Sequence, residues 1–124
     1  MSDVARLKAI RDFLRAASGI TKSSVPDAKY AERYVSPMGM PIVLEPRGLK
    51  YNRIWVRVDS VSLTSLDDIE NKVFIKPSTK EKRPNHDLYP DPLMQNVDLI
   101  CYHATTFSDA KRVIDTVINV GATP

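Results

Sequence analysis

Three prolines, Pro37, Pro41 and Pro46, fall at intervals of four and five residues in the middle of the chain. Proline lacks a backbone N–H and its ring clashes with the preceding turn, so this spacing excludes any long helix there. Ile42-Val43-Leu44, between the last two prolines, predicts a short strand, placed at a sheet edge because proline cannot donate to a ladder. Gly39 and Gly48 mark turns. The clearest strand follows at once. From Tyr51 to Val58, Ile54, Val56 and Val58 alternate with Arg53, Trp55 and Arg57, the period-two signature of a strand with two unlike faces. Lys72 to Lys76 and Val97 to His103 predict two further strands.

Helices are expected at the two ends. Ser2-Asp3 offers an N-cap and a first-turn acid, after which Val4, Leu7, Ile10, Phe13, Leu14 and Ala17 recur at helical spacing until Gly19. Arg6, Lys8, Asp12 and Arg15 then read as its solvated face. Thr106-Phe107-Ser108-Asp109 resembles a capping box, and Ala110, Val113, Ile114 and Val117 form one stripe up to Gly121. Between these elements, Thr21 to Asp27 reads as a polar loop and Tyr30 to Tyr34 as a helical turn. Ser65 to Ile69 reads as a capped turn with Leu63, Leu66 and Ile69 facing inward. Pro77 to Pro92 holds four prolines and four basic side chains, His86 included, and reads as a long irregular loop.

The fold class expected is α+β in one domain spanning residues 1–124. It comprises an N-terminal helix over 1–20, a small mostly antiparallel sheet over 36–103 interrupted by the loop 77–92, and a C-terminal helix over 106–120, both helices packing on one face. A chain of 124 residues with 43% hydrophobic and 27% charged side chains can bury its own core, which excludes wholesale disorder, a coiled coil or a fibre. No apolar run follows the first charges, so a cytoplasmic protein without a membrane partner is expected. The initial Met and the capped last helix favour a whole protein. The single cysteine, Cys101, forbids an internal disulfide and reads as a buried small hydrophobe.

Charge is laid down unevenly. Residues 1–62 carry 11 Lys+Arg against 6 Asp+Glu, whereas residues 63–124 carry 7 against 9. Within the basic half, Arg47, Lys50, Arg53 and Arg57 fall in eleven residues that contain no acid. Because side chains alternate along a strand, Tyr51, Arg53, Trp55 and Arg57 share one face. That is a chemically sensible platform for nucleic acid, since bases stack on Tyr and Trp for about 1 to 3 kcal/mol each and Arg pairs with phosphate. Lys80, Lys82 and Arg83 in the long loop would extend the basic track, although Glu81, Asp87 and Asp91 interrupt it.

The leading reading is therefore a non-enzymatic nucleic-acid-binding domain using Arg47, Lys50, Tyr51, Arg53, Trp55, Arg57, Lys80, Lys82 and Arg83. The alternative is a protein-interaction or inhibitor module using the same Trp/Tyr/Arg surface, because those residue types dominate protein hot spots. A third reading is a small metal-dependent nuclease in which Asp59, Glu70 and Lys72 converge on a divalent ion. The same acid-x-Lys spacing recurs at Asp27 and Asp109, which leaves that motif little specificity. No catalytic residue is assigned. No metal site is assigned either, since Cys101 and His103 have only His86 and carboxylates to complete a ligand set. Four glycines at 19, 39, 48 and 121 build no phosphate-cradling loop, so no cofactor is expected. Homodimerisation through an exposed edge near Ile42 to Leu44 is a further expectation. All the binding readings depend on the Trp55 indole and its flanking guanidiniums looking outward together.

Overall fold

The fold is described by a computed structural model covering residues 2–46, 50–61, 66–76, 86–88 and 90–119. Helix α1 spans Asp3–Ala16; Ser2 Oγ accepts the Ala5 N–H at 3.1 Å and caps it. Gly19, at φ +83°, turns the chain out of the helix, and a Cβ there would lie 2.6 Å from Pro37 Cγ, so only glycine fits. Helix α2 spans Phe107–Asn119, with Thr106 Oγ1 accepting the Asp109 N–H at 3.0 Å. Its expected stripe of Ala110, Val113, Ile114 and Val117 is completely buried. Phe13 and Phe107 meet edge to face at 5.9 Å where the two helices pack.

Among the described residues, six strands form one antiparallel sheet: β1 (Thr21–Lys22), β2 (Glu32–Val35), β3 (Pro41–Glu45), β4 (Asn52–Arg57), β5 (Asn71–Phe74) and β6 (Leu99–Ala104). Their spatial order is β1-β2-β3-β4-β6-β5, so β6 inserts beside β4 and leaves β5 at an edge. This is the expected α+β architecture with a helix at each end. The helices cover one face, where Tyr34, Ile42, Leu44, Ile54, Val56, Ile100 and Tyr102 meet Ile10, Leu14 and the α2 stripe. Leu66 and Ile69 close that core from the side, as their spacing predicts; Leu63 lies outside the described residues.

Four local expectations are corrected. Tyr30 to Tyr34 is not a helical turn: Glu32–Val35 pairs with β3 from Glu32↔Leu44 to Val35↔Pro41, and long-range pairing overrides the local pattern. Ile42 to Leu44 is not at an edge. Strand β3 lies between β2 and β4, and Pro41 is tolerated because it occupies the strand's first position. The polar stretch after Thr21 contributes the two residues of β1. Arg6 is not solvated: it is 5% exposed, and its Nε donates to Asn52 Oδ1 at 2.7 Å.

The second face of the sheet is covered as well. Val43, Trp55, Leu99 and Cys101 project there, and Leu88 and Met94, from short 3-10 turns at His86–Leu88 and Pro92–Met94, pack over them with Ala31 and Phe74. Arg33, 1% exposed on this face, fastens the cover: its guanidinium donates to the Asp87 carbonyl and, at 3.0 Å, to the Pro26 carbonyl. Asp87 Oδ2 accepts the Tyr30 N–H at 2.7 Å. Part of the long proline-rich segment therefore serves as the lid of a second core.

Candidate interaction surface

The face of β4 that carries Arg53, Trp55 and Arg57 is as the alternation predicts, but Trp55 does not look outward. Its indole is 3% exposed, tilted against Phe74 at 5.4 Å and clustered with Leu88 and Met94. The cause is apolar demand on that face. Val43, Leu99 and Cys101 flank the indole in the paired strands, so leaving the face open would expose a continuous hydrophobic patch. A base cannot stack on a ring held there.

The two arginines engage different partners at opposite ends of β4. Arg57 grips Asp59 through two bonds of 3.0 and 2.7 Å and reaches the Leu93 carbonyl at 3.5 Å, against the cover. Arg53 lies four residues earlier, about 13 Å along the strand. There the register aligns Glu45, Arg53 and His103 across β3, β4 and β6, and the His103 N–H donates to the Glu70 carbonyl at 2.8 Å. One row of side chains thus crosses the sheet.

Glu45 is the pivot of this row. It is 2% exposed; one carboxylate oxygen accepts Arg53 Nη1 at 2.7 Å and the other accepts the Trp55 Nε1–H at 3.2 Å. Arg53 Nη2 donates to the Tyr51 hydroxyl at 3.1 Å, and the Tyr51 ring stacks on His103 with centroids 4.4 Å apart and an 11° tilt. Burial lowers the pKa of Arg53, but the Glu45 carboxylate outweighs it, leaving the guanidinium above its ordinary range and fully charged. Its side chain keeps 27% of its exposure and that of His103 20%, while Glu70 Oε2 stands 3.6 Å from His103 Nδ1 at the rim. The site is a partly exposed, hydrogen-bonded and stacked Tyr–Arg–His patch with a carboxylate built beneath it and another at its edge.

Of the remaining sequence-derived site residues, Lys50 is exposed immediately before β4. Arg47, Lys80, Lys82 and Arg83 lie outside the described residues. The nuclease triple does not assemble. Asp59 follows Arg57 at one end of β4 and lines a cleft of about 260 Å³ with Lys76 and Asp98, whereas Glu70 sits beside His103 at the other end. Among the described residues no group of three or more His, Cys, Asp or Glu side chains is placed to hold a metal ion. Cys101 is buried opposite Trp55, and burial pushes its thiol well above the usual range, as suits a core residue rather than a nucleophile. Glu45 and His103 were not among the predicted binding residues. The signal for Glu45 was an acid closing an otherwise apolar strand, a position where only a paired charge is tolerated.

No helix among the described residues is long and apolar enough to cross a membrane. The chain matches no protein-family model, no curated protein and no solved structure.

Proposed function

We propose that this chain is a non-enzymatic protein-interaction module whose contact surface is the Tyr51–Arg53–His103 patch, with Lys50 and Glu70 on its rim. The observation that carries the reading is the fixed guanidinium: Glu45 holds Arg53 from below while Tyr51 and His103 stack beside it. Aromatic and arginine side chains held in one conformation lose little entropy on binding, which is what concentrates affinity at interface hot spots. The mixed charge favours a protein over a polyanion. Glu45 already neutralises Arg53, Glu70 adds an acid at the rim, and the one indole is shielded from stacking.

The test is a photoreactive amino acid at Lys50, which is exposed and adjacent to the patch. Irradiation of cells producing the chain is expected to give a discrete protein adduct that disappears in the Arg53→Ala and Tyr51→Ala backgrounds. Adducts to nucleic acid would return the leading role to a nucleic-acid platform. Protein adducts indifferent to both substitutions, or no adduct, would overturn the reading.

A further inference from the structure

What the Tyr51–Arg53–His103 patch offers a partner is hydrogen-bond donors. Arg53 spends one N–H on Glu45 Oε2 and one on the Tyr51 hydroxyl, and its Nε–H has no partner among the described residues. Tyr51 is the acceptor in that second bond, so its own O–H proton also finds no acceptor among the described residues. The guanidinium is fully charged and its side chain keeps 27% of its exposure. The acids lie elsewhere. Glu45 is buried beneath the patch, and Glu70 stands exposed at its rim, 3.6 Å from His103 Nδ1. The Tyr51 ring stacked on His103 adds an apolar wall beside the free donors.

Building on the protein-interaction reading, on which this rests, we infer that the patch receives one Asp or Glu side-chain carboxylate of the partner protein, bonded by Arg53 and Tyr51. A carboxylate is acceptor-only, and its bonds to a guanidinium are about twice as strong as bonds between neutral groups, so it fits a surface of unspent donors better than an amide does. Polyanions fit worse. Glu45, 2.7 Å from Arg53, cancels the guanidinium's field beyond contact range, whereas the remaining N–H groups still act at hydrogen-bond distance. Glu70 at the rim then repels a second negative charge beside the first, so it sets the preference for a lone acid. A chain-terminal carboxylate fits worse for a different reason. Capture of a chain end draws on unpaired backbone N–H groups, but β4 lies between β3 and β6, with Arg53 paired to Glu45 on one side and to His103 on the other. Only side-chain donors are on offer there, and the Tyr51–His103 stack can pack against the methylene stem of a glutamate.

Nuclear magnetic resonance titration of the full chain tests this, following the Arg53 Nε–H and Tyr51 ring signals. The probes are N-acetyl-glutamate methylamide, its glutamine counterpart, the doubly blocked Glu-Glu dipeptide and dimethyl phosphate. The glutamate probe is expected to shift both signals with a Kd of about 1 to 10 mM, and the glutamine probe and dimethyl phosphate to bind about tenfold more weakly. The dipeptide should bind no tighter than the single acid. Arg53→Lys, which keeps the charge but not the fork, should weaken the glutamate probe about tenfold as read from the Tyr51 ring. Glu70→Gln alters only an exposed side chain and should tighten that probe about threefold and the dipeptide by more. No response to the glutamate probe, an equal response to glutamine, tighter binding of dimethyl phosphate or of the dipeptide to the wild type, or a Glu70→Gln variant that binds no better would each overturn the inference. If the probes fail while the Lys50 photoadduct still disappears in Arg53→Ala, only the carboxylate is wrong. A photoadduct indifferent to Arg53→Ala removes the interaction reading itself.

Discussion

Glu45 accepts a hydrogen bond from the Trp55 indole at 3.2 Å and binds Arg53 at 2.7 Å with its other oxygen, so one buried carboxylate satisfies two donors on the neighbouring strand. Removing it leaves an indole N–H unpaired in a dry core and a guanidinium without its counter-charge. Glu45→Ala is therefore expected to destabilise the fold by about 2 to 3 kcal/mol. Glu45→Gln, which keeps acceptor and shape but not charge, should lose roughly half as much. Urea unfolding of both variants checks this, and an alanine variant as stable as the wild type would show that the pivot holds nothing.

Trp55 is the chain's single tryptophan and so reports on its own surroundings. Sealed beneath Leu88 and Met94, it should emit at a short wavelength and resist quenching by iodide. Single-stranded oligonucleotide at low salt should leave that spectrum in place. Leu88→Ala, which thins the cover, should shift the emission to the red and destabilise the fold by about 2 kcal/mol. Emission at the wavelength of an exposed indole in the wild type would contradict the covered face.

Arg6 joins helix α1 to the start of β4 and to the turn before α2, bonding Asn52 Oδ1 at 2.7 Å and the Thr105 carbonyl at 3.3 Å. Arg6→Ala should cost about 2 to 3 kcal/mol, and Arg6→Lys should recover little because a lysine has no fork to span both acceptors. A double-mutant cycle with Asn52→Ala should show a coupling of about 1 to 2 kcal/mol. Additive losses would mean that the two side chains act separately.

The terminal helices were legible because each carries its cap and its stripe within a dozen residues, and both signals are local. Strand β4 was legible because period two is also local. Which face of it meets solvent was not, since that depends on Leu88 and Met94, more than thirty residues downstream in a segment whose prolines hide any pattern. The position of Ile42 to Leu44 inside the sheet was hidden similarly, because its neighbour β2 has four residues and no strong pattern of its own. Arg6 shows a different failure. Its spacing to Ile10 and Leu14 places it on the buried stripe, but its charge argued for the outside; the buried partner Asn52, 46 positions away, decides the matter. The Tyr51–Arg53 half of the site could be read from alternation, whereas Glu45 and His103 joined it only through register.

The buried acids of the two cores set the behaviour of the fold in alkali. Burial pushes the Tyr102 hydroxyl up to about 12, with Asp67 adding to the shift. Burial likewise raises the Cys101 thiol, Glu45 reinforcing it and Arg53 partly offsetting it. Both groups stay protonated in the folded chain while their unfolded counterparts ionise near about 8.5 for the thiol and about 10 for the phenol. Above those values the unfolded state binds fewer protons than the folded one, so the contribution of these two groups to stability is level below pH about 8.5 and falls as pH rises, by up to about 1.4 kcal/mol per unit for each group. Cys101→Ala removes the first contribution, so its decline should begin nearer pH about 10. Urea midpoints measured for both chains from neutral pH upward separate the two onsets. The folded wild-type thiol should also resist a disulfide reagent that labels it fully in urea. Parallel decline of the two chains from pH 8.5, or fast labelling without urea, would place Cys101 outside the core.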